Sequence, residues 1–267
     1  SYYSILDAFA IYIQGQTVNF TDIQPSDIRA YLGSLNGVAD KTVYNHHVCL
    51  SSVWTWAIDQ GYAVDHVIRA VKPPKFTNHR VVPFTEIQCR RILAACKRSR
   101  DRALVMVLLD CGLRAAELCG LTVEDWSPGL LKVMGKGRKE RLVPISPPTE
   151  TAIQDQLVAR RVRSSGIDGG DALFACVISG KRMSYTTVQT IMRRLEKYSG
   201  IANIHCHRFR HTFAITYLRN GGDIYTLQRI LGHSSLDTVK IYLDIVRADV
   251  QAAHRSASPI VNWNLEN

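Results

Sequence analysis

The sequence predicts a mainly α-helical protein of two domains, with one small β-hairpin set into the second. Three observations predict it. Apolar residues recur at helical spacing through most of the chain, paired prolines at positions 73 and 74 interrupt it, and a single stretch alternates as strands do. With 267 residues, 46% of them hydrophobic and 21% charged, the composition is that of an ordinary globular protein and leaves room for one large or two moderate domains.

Residues 1–71 read as several short helices. Leu6, Phe9, Ala10 and Ile13 form an apolar stripe at helical spacing, and Pro25-Ser26-Asp27 opens a second helix that Gly33 and Gly37 loosen. Asp40 is expected to cap a helix running from Lys41 towards Gln60, packed through Val43, Leu50, Val53, Trp54 and Ala57 and stopped by Gly61. At its start Lys41, Thr42, Asn45 and His46 form a polar edge, either a seat for a phosphate or a solvated face. Lys72-Pro73-Pro74-Lys75, followed by Thr77-Asn78-His79-Arg80, cannot continue a helix and marks the domain junction. The expected division is a helical domain over residues 1–78, a larger domain over 79–257 and a tail over 258–267.

In the second domain Pro83-Phe84-Thr85-Glu86 opens a helix with Thr85 as its cap, and the run from Ala103 to Leu109 is apolar on every side, as a helix inside a core would be. The hairpin signature lies at Leu130 to Val133 and Arg141 to Ile145, around Gly135-Lys136-Gly137-Arg138-Lys139. Seven cysteines with no C-x-x-C pair fit neither a disulfide framework nor a zinc ribbon, and point to a reduced, cytoplasmic setting. No apolar run approaches the roughly 20 residues of a membrane span, and the start carries no basic leader, so neither membrane insertion nor export is expected.

The net charge of +10 favours a polyanionic partner, although a merely basic soluble enzyme fits it too. Residues 1–78 carry five basic and six acidic side chains, leaving 28 basic and 17 acidic ones to the other 189 residues. If the partner is a polyanion, the first domain is near neutral for its share of the contact, and a basic segment ahead of Ser1 would complete it.

Four segments could carry chemistry. Arg114, in Gly112-Leu113-Arg114-Ala115-Ala116-Glu117-Leu118, follows the buried helix and either awaits an anion or pairs with Glu117. His205-Cys206-His207-Arg208-Phe209-Arg210-His211 crowds three histidines and two arginines together, without the second cluster a zinc site needs. On a helix either His207 with Arg210 or His205 with Arg208 shares a face, and Phe209 with Phe213 makes an i, i+4 pair. Ile230-Leu231-Gly232-His233 ends a helix at a glycine, and Tyr242 follows in a further helix over Asp237 to Val246, as a core residue or as a nucleophile.

Together these segments resemble the tyrosine recombinase (phage integrase) family, of the Xer and transposon-integrase kind, strongly from Gly112 to Tyr242 and weakly over residues 1–78. The segment around Arg114 resembles the family's first arginine motif, Gly135-Lys136-Gly137-Arg138-Lys139-Glu140-Arg141 its hairpin lysine motif, and His207-Arg208-Phe209-Arg210-His211-Thr212 its His-x-x-Arg box, which selects His207 and Arg210. Leu231-Gly232-His233-Ser234 and Tyr242 complete the set. Small departures, Ile215 and Leu243-Asp244, do not touch these positions.

The resemblance implies a two-domain fold, with a helical core-binding domain and a mixed α/β catalytic domain closing as a C-shaped clamp on DNA. It implies a site-specific recombinase that cleaves and rejoins DNA through a 3′-phosphotyrosine on Tyr242, without metal, other cofactor or ATP. Arg114 and Arg210 would hold the scissile phosphate, His207 would take the tyrosine proton or bind the phosphate, and His233 would add a hydrogen bond. Lys136 would be the general acid, with Lys139 in reserve. Glu117 would buttress Arg114. The implied partners are double-stranded DNA with paired inverted half-sites and three further copies of the chain. A catalytically silent architectural DNA-binding protein and a type IB topoisomerase-like enzyme are the competing readings.

Trp263 and Ile260, on an otherwise polar tail, read as an anchor for a hydrophobic groove, on the chain's own catalytic domain or on a neighbouring protomer. If the tail docks on the neighbour, deleting residues 258–267 will weaken both oligomerisation on DNA and recombination, read by native gel shift and by product formation. Both unchanged excludes that docking.

Overall fold

The computed structural model describes residues 2–14, 19–76, 82–163, 172–176, 180–233, 235, 236, 239–243, 246 and 254, except the side chains of 136 and 161–163. The expected tail and the junction residues 77–80 lie outside them. The chain divides into two compact units, Ser1–Arg80 and Val81–Asn267. No described helix is long and apolar enough to cross a membrane.

The first unit contains α1 (Tyr2–Gln14), α2 (Pro25–Ser34) and α3 (Asp40–Asp59), with short 3₁₀ turns at Phe20–Asp22 and Val67–Ala70. Its core gathers Phe9, Ile13, Ile28, Tyr31, Leu50, Trp54 and Ile68. Aromatic edges fix the angles between the helices: Phe9 meets Tyr31 at 4.9 Å and Trp54 at 6.1 Å between ring centroids, and Phe20 stacks on Trp54 at 4.4 Å. Two expectations are corrected. Ala10 is exposed, because at 100° per residue it falls beyond the edge of the Leu6–Phe9–Ile13 face. Asp40 is the first residue of α3 rather than its cap; Ala39 holds the cap position with no side-chain hydrogen bond, leaving the Asp40 carboxylate at the positive end of the helix.

The second unit is built round α5 (Ser99–Cys111), whose Ala103, Leu104, Val105, Val107 and Leu108 are inaccessible to solvent. It packs against α7 (Pro147–Arg163) and α9 (Cys206–Arg219). Around them lie α4 (Glu86–Ala94), α6 (Ala115–Gly120), α8 (Tyr185–Ser199) and α10 (Ile224–Leu231). Thr85 caps α4 with a reciprocal Thr85–Gln88 capping box. Arg100 and Arg194 converge on buried Asp101, tying α5 to α8 with two cations on one carboxylate. Phe209 packs on Phe84 at 4.9 Å and Phe213 on Tyr217 at 5.7 Å, with Phe209 in the core and Phe213 packed against it.

The hairpin is β2 (Leu130–Met134) and β3 (Glu140–Pro144), to which β1 (Trp126–Ser127) adds a third antiparallel strand in the order β1-β2-β3. Two residues are too few to show alternation, so β1 left no mark on the sequence pattern. Leu131, Val133 and Val143 face the core while Met134 and Leu142 stay exposed. Val133 stands opposite Arg141, which puts Arg141 on the inward face.

Gly112 ends α5 in the left-handed region at φ 59°, where a Cβ would lie 2.6 Å from Phe213 Cδ1 and 2.9 Å from Leu231 Cδ2. Gly112→Ala is expected to lower stability by about 1–3 kcal/mol, through strain and overpacking together. A urea titration would show a lower midpoint with an unchanged slope.

Candidate active site

Four chain segments reach one place. α9 begins at His205, whose Nδ1 accepts from the Arg208 amide, while Arg208 itself donates to the Val82 and Ala202 carbonyls and lies over the Phe84 ring. His205 and Arg208 are thus occupied in building the helix entry. Arg210 and His211 are buried on the same turns, while His207 is exposed at the cleft.

Arg210 is 2% exposed. Its Nη1 donates to the Gly112 carbonyl and its Nη2 to the Leu231 carbonyl, each at 2.7 Å. Both acceptors stand at helix C-termini, α5 and α10, where the peptide dipoles are negative, so a cation is held there without a carboxylate of its own. Burial, then the neighbouring Arg114, pull its pKa down to about 10, which leaves it charged at neutral pH. The same Nη2 lies 2.5 Å from His233 Nε2. Since guanidinium only donates, this histidine nitrogen accepts and the ring is neutral. Burial and then Arg210, Arg114 and Arg141 hold His233 down to about 4.

Arg114 opens α6 and is the more accessible arginine, its side chain 43% exposed. It donates from Nη1 to Glu117 Oε1 at 2.8 Å and from its backbone to Oε2 at 2.9 Å. The ion pair is present, yet it does not neutralise the site, because Arg141 reaches the same carboxylate with Nη1 at 3.1 Å and Nη2 at 2.8 Å. Burial would raise the Glu117 carboxyl, but the hydrogen bonds from Arg141 and Arg114 bring it below its ordinary value and keep it ionised. Among the described residues two guanidiniums share the Glu117 carboxylate and a third, Arg210, is held by backbone carbonyls beside them, so the site carries surplus positive charge and seeks an anion.

Tyr242 lies in helical residues 239–243, 2% exposed, in a cluster with Ala214, Ile215, Leu218, Leu227 and Leu231. Burial raises its pKa against the pull of Arg210 and Arg114. His211 stands edge-on to its ring at 5.2 Å and edge-on to His207 at 4.4 Å, so a line of rings joins α9 to the tyrosine. A cleft of about 420 Å³ opens beside Arg114, His207 and Arg210 and continues along Tyr185, Gln189 and Arg193 of α8.

The structure brings together Arg114, Arg210, His233 and Tyr242, with His207 one ring away. Lys136 sits in the 3₁₀ turn Lys136–Arg138 at the hairpin tip, its side chain outside the described atoms, and Lys139 is exposed where β3 begins. In the first unit Lys41, Thr42 and Asn45 are exposed on one face of α3, whereas His46 is half-buried with Nδ1 2.8 Å from the Tyr31 hydroxyl. Two residues were missed as parts of the site. An arginine on the inward face of a strand, as Arg141 is, was a legible sign that a buried partner awaited it. His211 stood one helical turn from His207.

Residues 83–248 match the model of the phage integrase family. The tyrosine recombinase XerD of Shewanella oneidensis is 31% identical over 272 aligned residues, spanning 97% of this chain and 89% of XerD. The chain belongs to the phage integrase family of tyrosine recombinases. Two solved structures share its fold. A XerH recombinase bound to its palindromic difH substrate after cleavage aligns with TM-score 0.75 at 20% identity, over 97% of this chain and 78% of that one. A lambda integrase tetramer bound to a Holliday junction aligns with TM-score 0.67 at 22% identity, over 88% of this chain and 70% of that one.

His211 and His233 sit near pKa 4 in the folded recombinase, below the ordinary 6.5. The unfolded chain therefore binds protons that the native state refuses. Their contribution to stability is complete above the ordinary histidine pKa and is lost as pH falls from there towards 4. Urea midpoints are expected to drop across that window, and His211→Gln to drop less; equal slopes in the two proteins would contradict the assignment.

Proposed function

We propose that this tyrosine recombinase cleaves and rejoins double-stranded DNA at paired inverted half-sites through a 3′-phosphotyrosyl bond on Tyr242. The observation that carries the reading is the surplus of guanidinium at Arg114 and Arg210, which line the cleft within electrostatic reach of a buried tyrosine.

Ionising a phenol at pH 7 costs about 4 kcal/mol from its ordinary pKa near 10, and burial of Tyr242 adds to that. A phosphate held by Arg114 and Arg210 brings the tyrosine an acceptor at which charge develops under two forked cations. Tyr242 Oη bonds to phosphorus as the P–O5′ bond breaks. Its proton passes to His207, and the departing O5′ takes one from Lys136. His233, bonded through Nε2 to Arg210, steers that guanidinium and shares the phosphate. The phosphotyrosine retains the energy of the broken diester, so a 5′-hydroxyl of a second strand displaces Tyr242 without ATP.

In this reading Val81–Asn267 is the catalytic unit, and Ser1–Arg80 binds the core of the site, with Lys41, Thr42 and Asn45 on backbone phosphates. His46, tied to Tyr31, orients α3 from behind. Four protomers join two DNA sites.

The test is covalent capture on a pool of nicked duplexes with randomised sites, followed by denaturation. The parent protein is expected to yield protein–DNA adducts and Tyr242→Phe none, while replacing Arg114 or Arg210 slows adduct formation by about 100-fold or more. Adducts that survive Tyr242→Phe would assign the nucleophile elsewhere. Salt-sensitive DNA binding without any adduct from the parent would favour an architectural role.

A further inference from the structure

Arg141 is the second residue of β3, beside the hairpin turn, with its side chain 12% exposed. Besides its two bonds to Glu117, its Nε donates to the Ile230 carbonyl at 2.7 Å. Gly232 closes over it, since a Cβ there would lie 2.9 Å from Nη1 and 3.0 Å from Cζ. One side chain of β3 is therefore bonded to α6, bonded to the last turn of α10, and packed beneath the residue that precedes His233. Among the described side chains of the hairpin, none but Arg141 has a recorded hydrogen bond to α6 or α10.

We propose that Arg141 is a positioning residue that holds the hairpin, and with it Lys136, in register with Arg114 and Arg210. The inference rests on the reading of Lys136 as the proton donor to O5′. Lys136 is five residues from Arg141 across the tight turn, so fixing the start of β3 fixes where the tip can reach. A planar fork is needed: one carbonyl and two carboxylate oxygens are met at once by three donors of a guanidinium, which an ammonium cannot do in that geometry. Glu117 retains two bonds to Arg114 when Arg141 is removed. Loss of Arg141 thus frees the hairpin and leaves the phosphate clamp anchored.

The consequence falls on the leaving group. As Oη bonds to phosphorus and P–O5′ breaks, O5′ must take a proton or depart as an alkoxide. Sulfur in place of that bridging oxygen departs as a thiolate and needs no proton. Single-turnover cleavage by the full chain is therefore measured on a captured nicked duplex carrying either a 5′-bridging oxygen or a 5′-bridging sulfur at the scissile phosphate. Arg141→Lys, Arg141→Gln and Lys136→Ala are compared with the parent, with DNA affinity and the unfolding transition recorded beside each.

All three variants are expected to cleave the oxygen substrate about 100-fold slower, the size of a general-acid contribution, and to approach the parental rate on the sulfur substrate. Restoration by sulfur itself shows that a variant is folded; should Arg141→Gln fail to fold, Arg141→Lys decides. Parental rates in the Arg141 variants overturn the proposal, as does a deficit that sulfur relieves in Lys136→Ala but not in a folded Arg141 variant. If sulfur fails to relieve Lys136→Ala, the assignment of Lys136 as the acid falls, and this inference with it.

Discussion

The candidate active site is organised around one buried carboxylate. Glu117 is 8% exposed and takes two hydrogen bonds from Arg114 and two from Arg141. Removing one partner of such a pair typically costs about 3–5 kcal/mol, because an uncompensated charge stays buried. The cost is also what makes the arrangement specific. Arg114 can leave Glu117 only for another anion, and Arg141 cannot leave without unmaking the contact between the hairpin and α10. Glu117 fixes where the two arginines stand while neutralising one charge between them.

Arg210 is held by a different device with the same effect. Its acceptors are backbone carbonyls at the ends of α5 and α10, and both helices end because a glycine there takes left-handed φ, 59° at Gly112 and 63° at Gly232. The two glycines lie close to the side chains they must clear, Phe213 and Leu231 at one, Arg141 at the other. Helix termini supply partial negative charge that orients a guanidinium and leaves its formal charge intact. Chain reversals chosen for packing thus double as the seat of a buried cation, which joins the fold of α5 and α10 to α9.

How much of this was legible in the sequence differs by level. Periodicity marked α5 and the hairpin because both are amphipathic or apolar over several residues; β1, with two residues, lies below the length at which alternation exists. The two registers of the histidine-rich stretch were equivalent in spacing alone. What separates them is tertiary: Val82 and Ala202 lie beside Arg208, and Gly112 and Leu231 beside Arg210. Arg141 could have been found from its place opposite Val133, once register was known, whereas the contact of His211 with Tyr242 depends on where the chain returns after Gly232 and has no local signal.

The charge distribution then has a physical meaning. Residues 1–78 are near neutral, and their α3 edge offers one cation, Lys41, with Thr42 and Asn45 beside it. Hydroxyl and amide groups hydrogen-bond phosphates without releasing counterions, so in the proposed function that surface would position DNA more than attract it. Attraction falls to the second unit, where the surplus is concentrated. Within that surplus the cations differ in kind: Arg141 and Arg210 are locked by protein acceptors, whereas Arg114 has a side chain 43% exposed at the cleft. Non-specific attraction comes from the many exposed cations, and the reaction is set by the few whose positions the core dictates.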